Sequence, residues 1–128
     1  MKVSFDFDST LDRKDVQDFA KQLVNKEHEV WITTSRFDTK SALKKNWWWV
    51  EESNEKLYDV AESCGISKEN ITFTSMVNKI EFLKGKGFTF HLDDDDIELE
   101  FIEESNDPCV GICVEEKNWK QNCEKLIG

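Results

Sequence analysis

The chain has 128 residues, enough for one hydrophobic core, and 38% of them are hydrophobic, including nine Phe and five Trp, which excludes a disordered chain. Its formal net charge of −10, with no offsetting basic stripe, disfavours simple electrostatic binding of nucleic acid. No apolar run approaches the roughly 20 residues that span a bilayer, and the acids in Met1–Asp8 interrupt any signal-peptide core, so the expectation is a cytoplasmic protein without a membrane partner.

Val3-Ser4-Phe5-Asp6-Phe7 reads as a buried strand ending in acids. Val16, Phe19, Ala20, Leu23 and Val24 fall at i, i+3, i+4, i+7 and i+8, which predicts an amphipathic helix over about 12–26. Val30–Thr33 is the second strand, and Leu57, Val60, Ala61 and Cys64 mark a helix stopped by Gly65. Ile71–Phe73 is a short third strand, followed by a brief helix at Ile80–Leu83 that ends near Gly85 and Gly87. Phe88–Leu92 forms the fourth strand and runs into Asp93-Asp94-Asp95-Asp96; a helix through Leu99 and Ile102 follows. Val110–Val114 is the fifth strand, and Trp119, Cys123, Leu126 and Ile127 stripe the last helix. Strands separated by helices imply an α/β fold. The expected form is a doubly wound, Rossmann-like three-layer sandwich with a mainly parallel five-stranded sheet, one domain over residues 1–128.

Residues 37–52 stand apart as a basic, aromatic loop with Lys40, Lys44, Lys45 and the run Trp47-Trp48-Trp49. Three adjacent Trp cannot share one face of a helix or strand, so at least one is expected to be exposed or at an interface. Such a loop could stack a nucleobase and steer phosphate, or pack on another chain and support an oligomer; its rings could equally fold over the core. Cys64, Cys109, Cys113 and Cys123 form no CxxC pair and read as free thiols rather than a zinc site.

In a sheet of this kind ligands bind at the carboxyl ends of the strands. Asp6 and Asp8, Thr34, and Asp93 and Asp94 fall at those ends, and Lys79 opens the helix after the third strand. Carboxylates bind Mg²⁺, a hard cation that keeps phosphate oxygens in its shell, and one carboxylate can attack phosphorus. A second acid two residues on can protonate the leaving oxygen and then deprotonate water. Thr34 can donate to a phosphoryl oxygen, and Lys79 can offset its charge. Each residue also has a plainer use: Asp8, Ser9, Thr10 and Asp12 as helix caps, the four consecutive Asp as an acidic helix start, Lys79 as a surface lysine. His28 and His91 read as structural.

The ordered set resembles the haloacid dehalogenase (HAD) superfamily of phosphohydrolases, in particular small members that act on nucleotides or polynucleotide ends. Asp6-Phe7-Asp8-Ser9-Thr10 matches its DxDx(T/S) motif, and Trp31-Ile32-Thr33-Thr34-Ser35-Arg36 its second motif. Asn78-Lys79-Ile80 matches the third and Phe90-His91-Leu92-Asp93-Asp94 the fourth. The resemblance implies Asp6 as nucleophile, Asp8 as general acid/base, and Thr34 and Lys79 as phosphoryl ligands. It implies Mg²⁺ held by Asp6, the Asp8 backbone carbonyl and an acid of the Asp93–Asp94 pair, with Asp93 favoured and Asp94 close behind. The short spacings Thr10 to Asp12 and Phe73 to Lys79 leave no room for a cap domain. The expected function is a Mg²⁺-dependent phosphatase acting through an aspartyl-phosphate on a phosphomonoester, either a nucleotide or other small phosphate, or a nucleic-acid end. The alternative is a catalytically weak HAD-like domain that binds a partner through Trp47–Trp49.

Overall fold

In the computed structural model, which describes residues 1–128, strands β1 (Lys2–Phe5), β2 (Glu29–Thr34), β3 (Ile71–Phe73), β4 (Phe90–Asp93) and β5 (Val110–Cys113) alternate with helices. The helices are α1 (Lys14–Asn25), α2 (Thr39–Lys44), α3 (Trp49–Cys64), α4 (Ile80–Leu83), α5 (Asp96–Glu104) and α6 (Trp119–Ile127). The strands hydrogen-bond in the order β3-β2-β1-β4-β5, and every pairing is parallel. The expected mainly parallel sheet is thus wholly parallel and compatible with a Rossmann-like sandwich. The chain winds outward from β1 to β3, then crosses back to β4 on the other side. The order therefore reverses between β1 and β4, where Ser4 lies beside His91 and Phe5 beside Leu92.

Alternation along the strands sorts side chains to two faces. Val3, Phe5, Val30, Ile32, Phe90 and Leu92 join the main core with Phe19 and Leu23 of α1, Leu57 and Ala61 of α3, and Trp119 and Cys123 of α6. Phe19 meets Phe5 and Trp119 edge-on, at 6.2 and 5.6 Å between ring centroids. Each such fully buried side chain contributes about 1.5–3 kcal/mol. The opposite face is covered by α4 and α5, where Ile80, Leu83, Phe88, Ile102 and Cys109 form a smaller cluster. Gly111 lets α5 lie close on β5, since a Cβ there would come within 3.0 Å of the Leu99 side chain.

Periodicity located nearly every element, but residues 37–52 are not a loop. Asp38 caps α2 by accepting the Ser41 N–H at 2.8 Å, and α3 begins at Trp49, a full two turns before its first apolar anchor, Leu57. The hairpin is closed by buried Asn54, whose amide donates to the Phe37 carbonyl at 3.0 Å and the Thr39 hydroxyl at 3.2 Å. Gly65, at φ +81°, ends α3 in the left-handed conformation that a side chain would strain. Of the three adjacent Trp, Trp47 is half-buried, and Trp48 and Trp49 are 71% and 52% exposed. All four cysteines are free thiols, and Cys64, Cys109 and Cys123 are buried. Burial pushes the Cys109 and Cys123 thiols up to about 12, so both are unreactive. No helix is long and apolar enough to cross a membrane.

Candidate active site

The carboxyl ends of β1 and β4, at the reversal of strand order, converge on three charged groups. Asp6 follows β1, Asp93 ends β4, and Lys79 immediately precedes α4; all three are buried. Lys79 Nζ donates to Asp6 Oδ1 and to Asp93 Oδ2, each at 2.7 Å. The Lys79 backbone N–H is itself held by Glu98 Oε2 of α5 at 2.9 Å. A lysine on a surface helix would not be fastened at both ends in this way.

After β1 the backbone makes a wide turn rather than entering a helix directly. Leu11 N–H reaches the Asp6 carbonyl and Asp12 N–H the Phe7 carbonyl, both at 3.1 Å. Ser9 takes the left-handed conformation at φ 61°, with its N–H held by Asp12 Oδ2 at 3.1 Å. The turn leaves Thr10 inward, where its hydroxyl approaches Asp6 Oδ2 at 3.3 Å, and Asp8 outward. Asp8 is gripped by Arg36, which donates from Nη2 to Oδ1 at 2.7 Å and from Nε to Oδ2 at 3.0 Å. The same guanidinium donates to the Ser53 carbonyl of α3 at 2.7 Å and lies over the Phe7 ring.

Behind Asp93 runs a buried polar chain. Asp93 Oδ2 also lies 2.7 Å from His91 Nε2, His91 Nδ1 lies 2.9 Å from Ser4 Oγ, and Ser4 Oγ lies 2.7 Å from Thr33 Oγ1. Asp93 Oδ1 accepts the Asp95 N–H at 3.0 Å. An ionised Asp93 can only accept, so a neutral His91 donates from Nε2 and accepts from Ser4, which in turn accepts from Thr33.

These contacts set the charges. Complete burial holds the His91 imidazole below its ordinary range, and hence neutral. Burial alone would raise Asp93, but the hydrogen bonds from His91 and Lys79 and the Lys79 charge outweigh it and hold that carboxyl well below the usual range. Asp6 goes the other way: burial first, then the nearby Asp93 charge, push it up to about 8 despite Lys79. Burial would lower Lys79, but the Asp6 and Asp93 charges raise it, so the ammonium is retained.

The remaining acids divide by role. Asp94 is half-buried, and its carboxyl is raised by burial and by Asp93. Asp95 caps α5 by accepting the Ile97 N–H at 2.9 Å, and Asp96 sits in the first helical turn. Within the four-Asp run, Asp95 and Asp96 start the helix, while Asp93, Asp94 and Asp95 line the pocket. Oxygens of Asp6, Asp93 and Asp94 all lie within 4.8 Å of one another. Hard carboxylate oxygens grouped in this way are the donor type that Mg²⁺ takes.

No family model, no curated protein and no solved structure matches the chain.

Of the residues expected from sequence, Asp6, Lys79, Asp93 and Asp94 come together around a pocket of about 250 Å³, with Asp8 on its wall. Asp8 lies outside the three-carboxylate group. Thr34 is buried at the end of β2, its hydroxyl accepting the Arg36 N–H at 3.3 Å; the neighbouring Ser35 lines the pocket instead. His28, as expected, lies elsewhere, with its Nδ1 3.1 Å from the N-terminal amine. Two participants were not singled out from sequence, Ser35 and Arg36 as the clamp on Asp8; His91, which reads from sequence as structural, with a supporting role beside Asp93 the lesser reading, is the partner of Asp93. The spacing His91-Leu92-Asp93 on a strand does carry a signal, because period two puts both side chains on one face.

Proposed function

We propose that this protein is a HAD-like, Mg²⁺-dependent phosphatase that hydrolyses a phosphomonoester through an aspartyl-phosphate on Asp6. The observation that carries the reading is the juxtaposition, at the switch point of a parallel sheet, of a buried carboxylate with a buried ammonium 2.7 Å away. Asp93 and Asp94 beside it complete an oxygen donor set, and Asp8 stands on the pocket wall two residues from Asp6.

In the first half-reaction an Asp6 carboxylate oxygen attacks phosphorus. The bond to the ester oxygen breaks, and that oxygen takes a proton from Asp8. In the second, water attacks the phosphorus of the aspartyl-phosphate, Asp8 takes a proton from the water, and inorganic phosphate leaves with Asp6 restored. Lys79 neutralises charge on the phosphoryl oxygens, and Ser35, on the pocket wall, carries a hydroxyl that can donate to one of them. Asp6, Asp93 and Asp94 would hold Mg²⁺, with the Asp8 carbonyl added by the family resemblance. Such an ion supplies charge for the phosphoryl oxygens and favours the ionised Asp6 that attack requires. His91 and Arg36 act through others: one fixes the Asp93 carboxylate, the other the Asp8 carboxylate.

The test is phosphate release from a panel of phosphomonoesters with and without Mg²⁺. Release should require the ion and disappear in Asp6→Asn; equal release by parent and variant would sink the reading.

A further inference from the structure

Asp8 has a second side. Besides the catalytic pocket it lines a cleft of about 680 Å³, within the range of small-molecule sites, together with Phe7, Arg36, Trp49, Ser53 and Lys56. The cleft runs on, past Arg36, Trp49 and Ser53, into a smaller apolar recess of about 350 Å³ walled by Phe37, Trp47 and Val50. The position is telling on the phosphatase reading, on which this inference rests. The acid that protonates the leaving oxygen must touch it, so the body of the substrate starts at Asp8 and extends away from the phosphoryl group. The cleft is the space that begins there.

Its walls have a distinct chemistry. Trp49 is 52% exposed, yet its ring is not loose: it leans on Trp47 at 6.3 Å and 30°, and Trp47 is backed edge-on by Phe37 at 5.0 Å. A large, half-exposed aromatic ring, braced by Trp47 and met edge-on by Trp48 at 5.9 Å, thus lines the cleft, as a stacking surface requires. The rest of the wall is acidic: Asp8, Asp12, Glu52 and Asp59 against Arg36 and Lys56, four carboxylates to two cations. Arg36 already spends its guanidinium on Asp8 and the Ser53 carbonyl. Carboxylates accept hydrogen bonds from hydroxyl and amino groups and repel additional phosphates.

We propose that this cleft binds the body of a nucleoside monophosphate, its base on Trp49 and its hydroxyl and amino groups on the cleft carboxylates, and that it discriminates against nucleotides with a further phosphate and against polynucleotide ends.

The experiment uses the full chain with Mg²⁺ and compares kcat/KM for adenosine and uridine monophosphates, glycerol 3-phosphate, adenosine 3′,5′-bisphosphate and a 3′-phosphorylated oligonucleotide. Glycerol 3-phosphate has hydroxyls but no flat ring. The nucleoside monophosphates should exceed it by about tenfold or more, the scale of one base stacked on an aromatic ring. They should also exceed the bisphosphate and the oligonucleotide. Trp49→Ala should cut the ratio of nucleotide to glycerol phosphate by about tenfold, and Trp49→Phe, which keeps a ring, should retain most of it. A ratio near one in the parent, or preference for the bisphosphate or oligonucleotide, overturns the proposal while leaving the phosphatase reading intact. Phosphate release from none of them sinks the phosphatase reading. Calorimetric titration of adenosine monophosphate into Asp6→Asn then decides the cleft alone. Saturable binding lost in Asp6→Asn/Trp49→Ala supports it, and absence of binding overturns it.

Discussion

His91 Nε2 lies 2.7 Å from Asp93 Oδ2, and neither side chain touches solvent. Both sit on β4, two residues apart and therefore on one face, and Ser4 of the adjacent strand closes the far end of the imidazole at 2.9 Å. Removal of the ring leaves a buried anion one donor short and a buried hydroxyl without its acceptor. His91→Ala should therefore lose about 2–3 kcal/mol in urea unfolding, as expected for a hydrogen bond to a charged group. His91→Gln, which can still donate to Asp93, should recover part of that loss and more of the phosphatase activity than His91→Ala at equal folded fraction. Identical activity losses in both variants would mean that the ring only fills space.

The clamp between Arg36 and Asp8 invites a different pair of substitutions. Both guanidinium contacts to the carboxylate involve the exposed Asp8, whose side chain is 58% accessible, so the ion pair itself adds at most about 1 kcal/mol to stability. Its value lies in direction: a planar fork fixes the carboxylate plane, and a lysine ammonium does not. Arg36→Lys should fold nearly as well as the parent but lower kcat by about tenfold or more, because misplacement of a catalytic group costs rate steeply. Circular dichroism melts with steady-state kinetics on the same preparations would show the split. Unchanged kcat in Arg36→Lys would remove Arg36 from the mechanism.

These two relationships also mark where sequence reading stops. The apolar runs ending in acids at Asp6 and Asp93 were legible because a buried parallel strand is a short hydrophobic block and its exit is abrupt. Ile71–Phe73, a half-buried edge strand, and the short helix Ile80–Leu83 were legible from their apolar residues, and so were the strand ends that meet in the site. The Arg36 clamp was not, since it joins residues 28 apart through a turn whose wide hydrogen bonding no propensity encodes. The half-legible case is His91: period two pairs it with Asp93, but the register that sets it beside Ser4 belongs to the sheet alone. The Trp run misled because adjacent rings carry no helical period. The start of α3 at Trp49 comes from the Asn54 tie to Phe37 and Thr39, a polar contact hidden among apolar signals.

Asp6 predicts an unusual pH dependence of stability for the metal-free protein. Burial chiefly pushes its carboxyl up to about 8 in the fold, against 3.8 for a free Asp side chain. Between those values the unfolded chain has released the proton and the folded chain has kept it, so the native state binds more protons and stability falls as pH rises. His28 and His91, held low in the fold, give the opposite slope, but only up to about pH 6.5, where an unfolded imidazole loses its charge. Near pH 8.5 the Cys64, Cys109 and Cys123 thiols, raised by burial in the fold, add a slope of the same sign as the unfolded thiols ionise; from pH 7 to 8 the Asp6 slope should dominate. Urea unfolding in EDTA across that range should show declining stability, and Asp6→Asn should flatten it while gaining on the order of 1 kcal/mol at pH 8. A flat parent curve would place Asp6 in its ionised form throughout.

Asp93 and Asp94 should separate structure from metal binding. The Asp93 carboxylate already serves Lys79, His91 and the Asp95 N–H, so its loss leaves the buried Lys79 ammonium with Asp6 alone and the imidazole Nε2–H without its acceptor. Asp93→Ala should cost about 3–5 kcal/mol even without metal, the scale for breaking a buried ion pair by removing one partner. Asp94 is half-buried and faces chiefly other carboxyls, Asp6 and Asp93, so its removal relieves repulsion rather than breaking a bridge. Asp94→Ala should melt at or above the parent in EDTA. Mg²⁺ at a hundred times its dissociation constant should stabilise the parent by about 2.7 kcal/mol, and Asp94→Ala should lose most of that gain. Thermal melts of the parent and both variants, with EDTA and with millimolar Mg²⁺, give all the required values. If Asp94→Ala keeps the full Mg²⁺ gain, the ion is held without it, and the burden of coordination passes to Asp6 and Asp93.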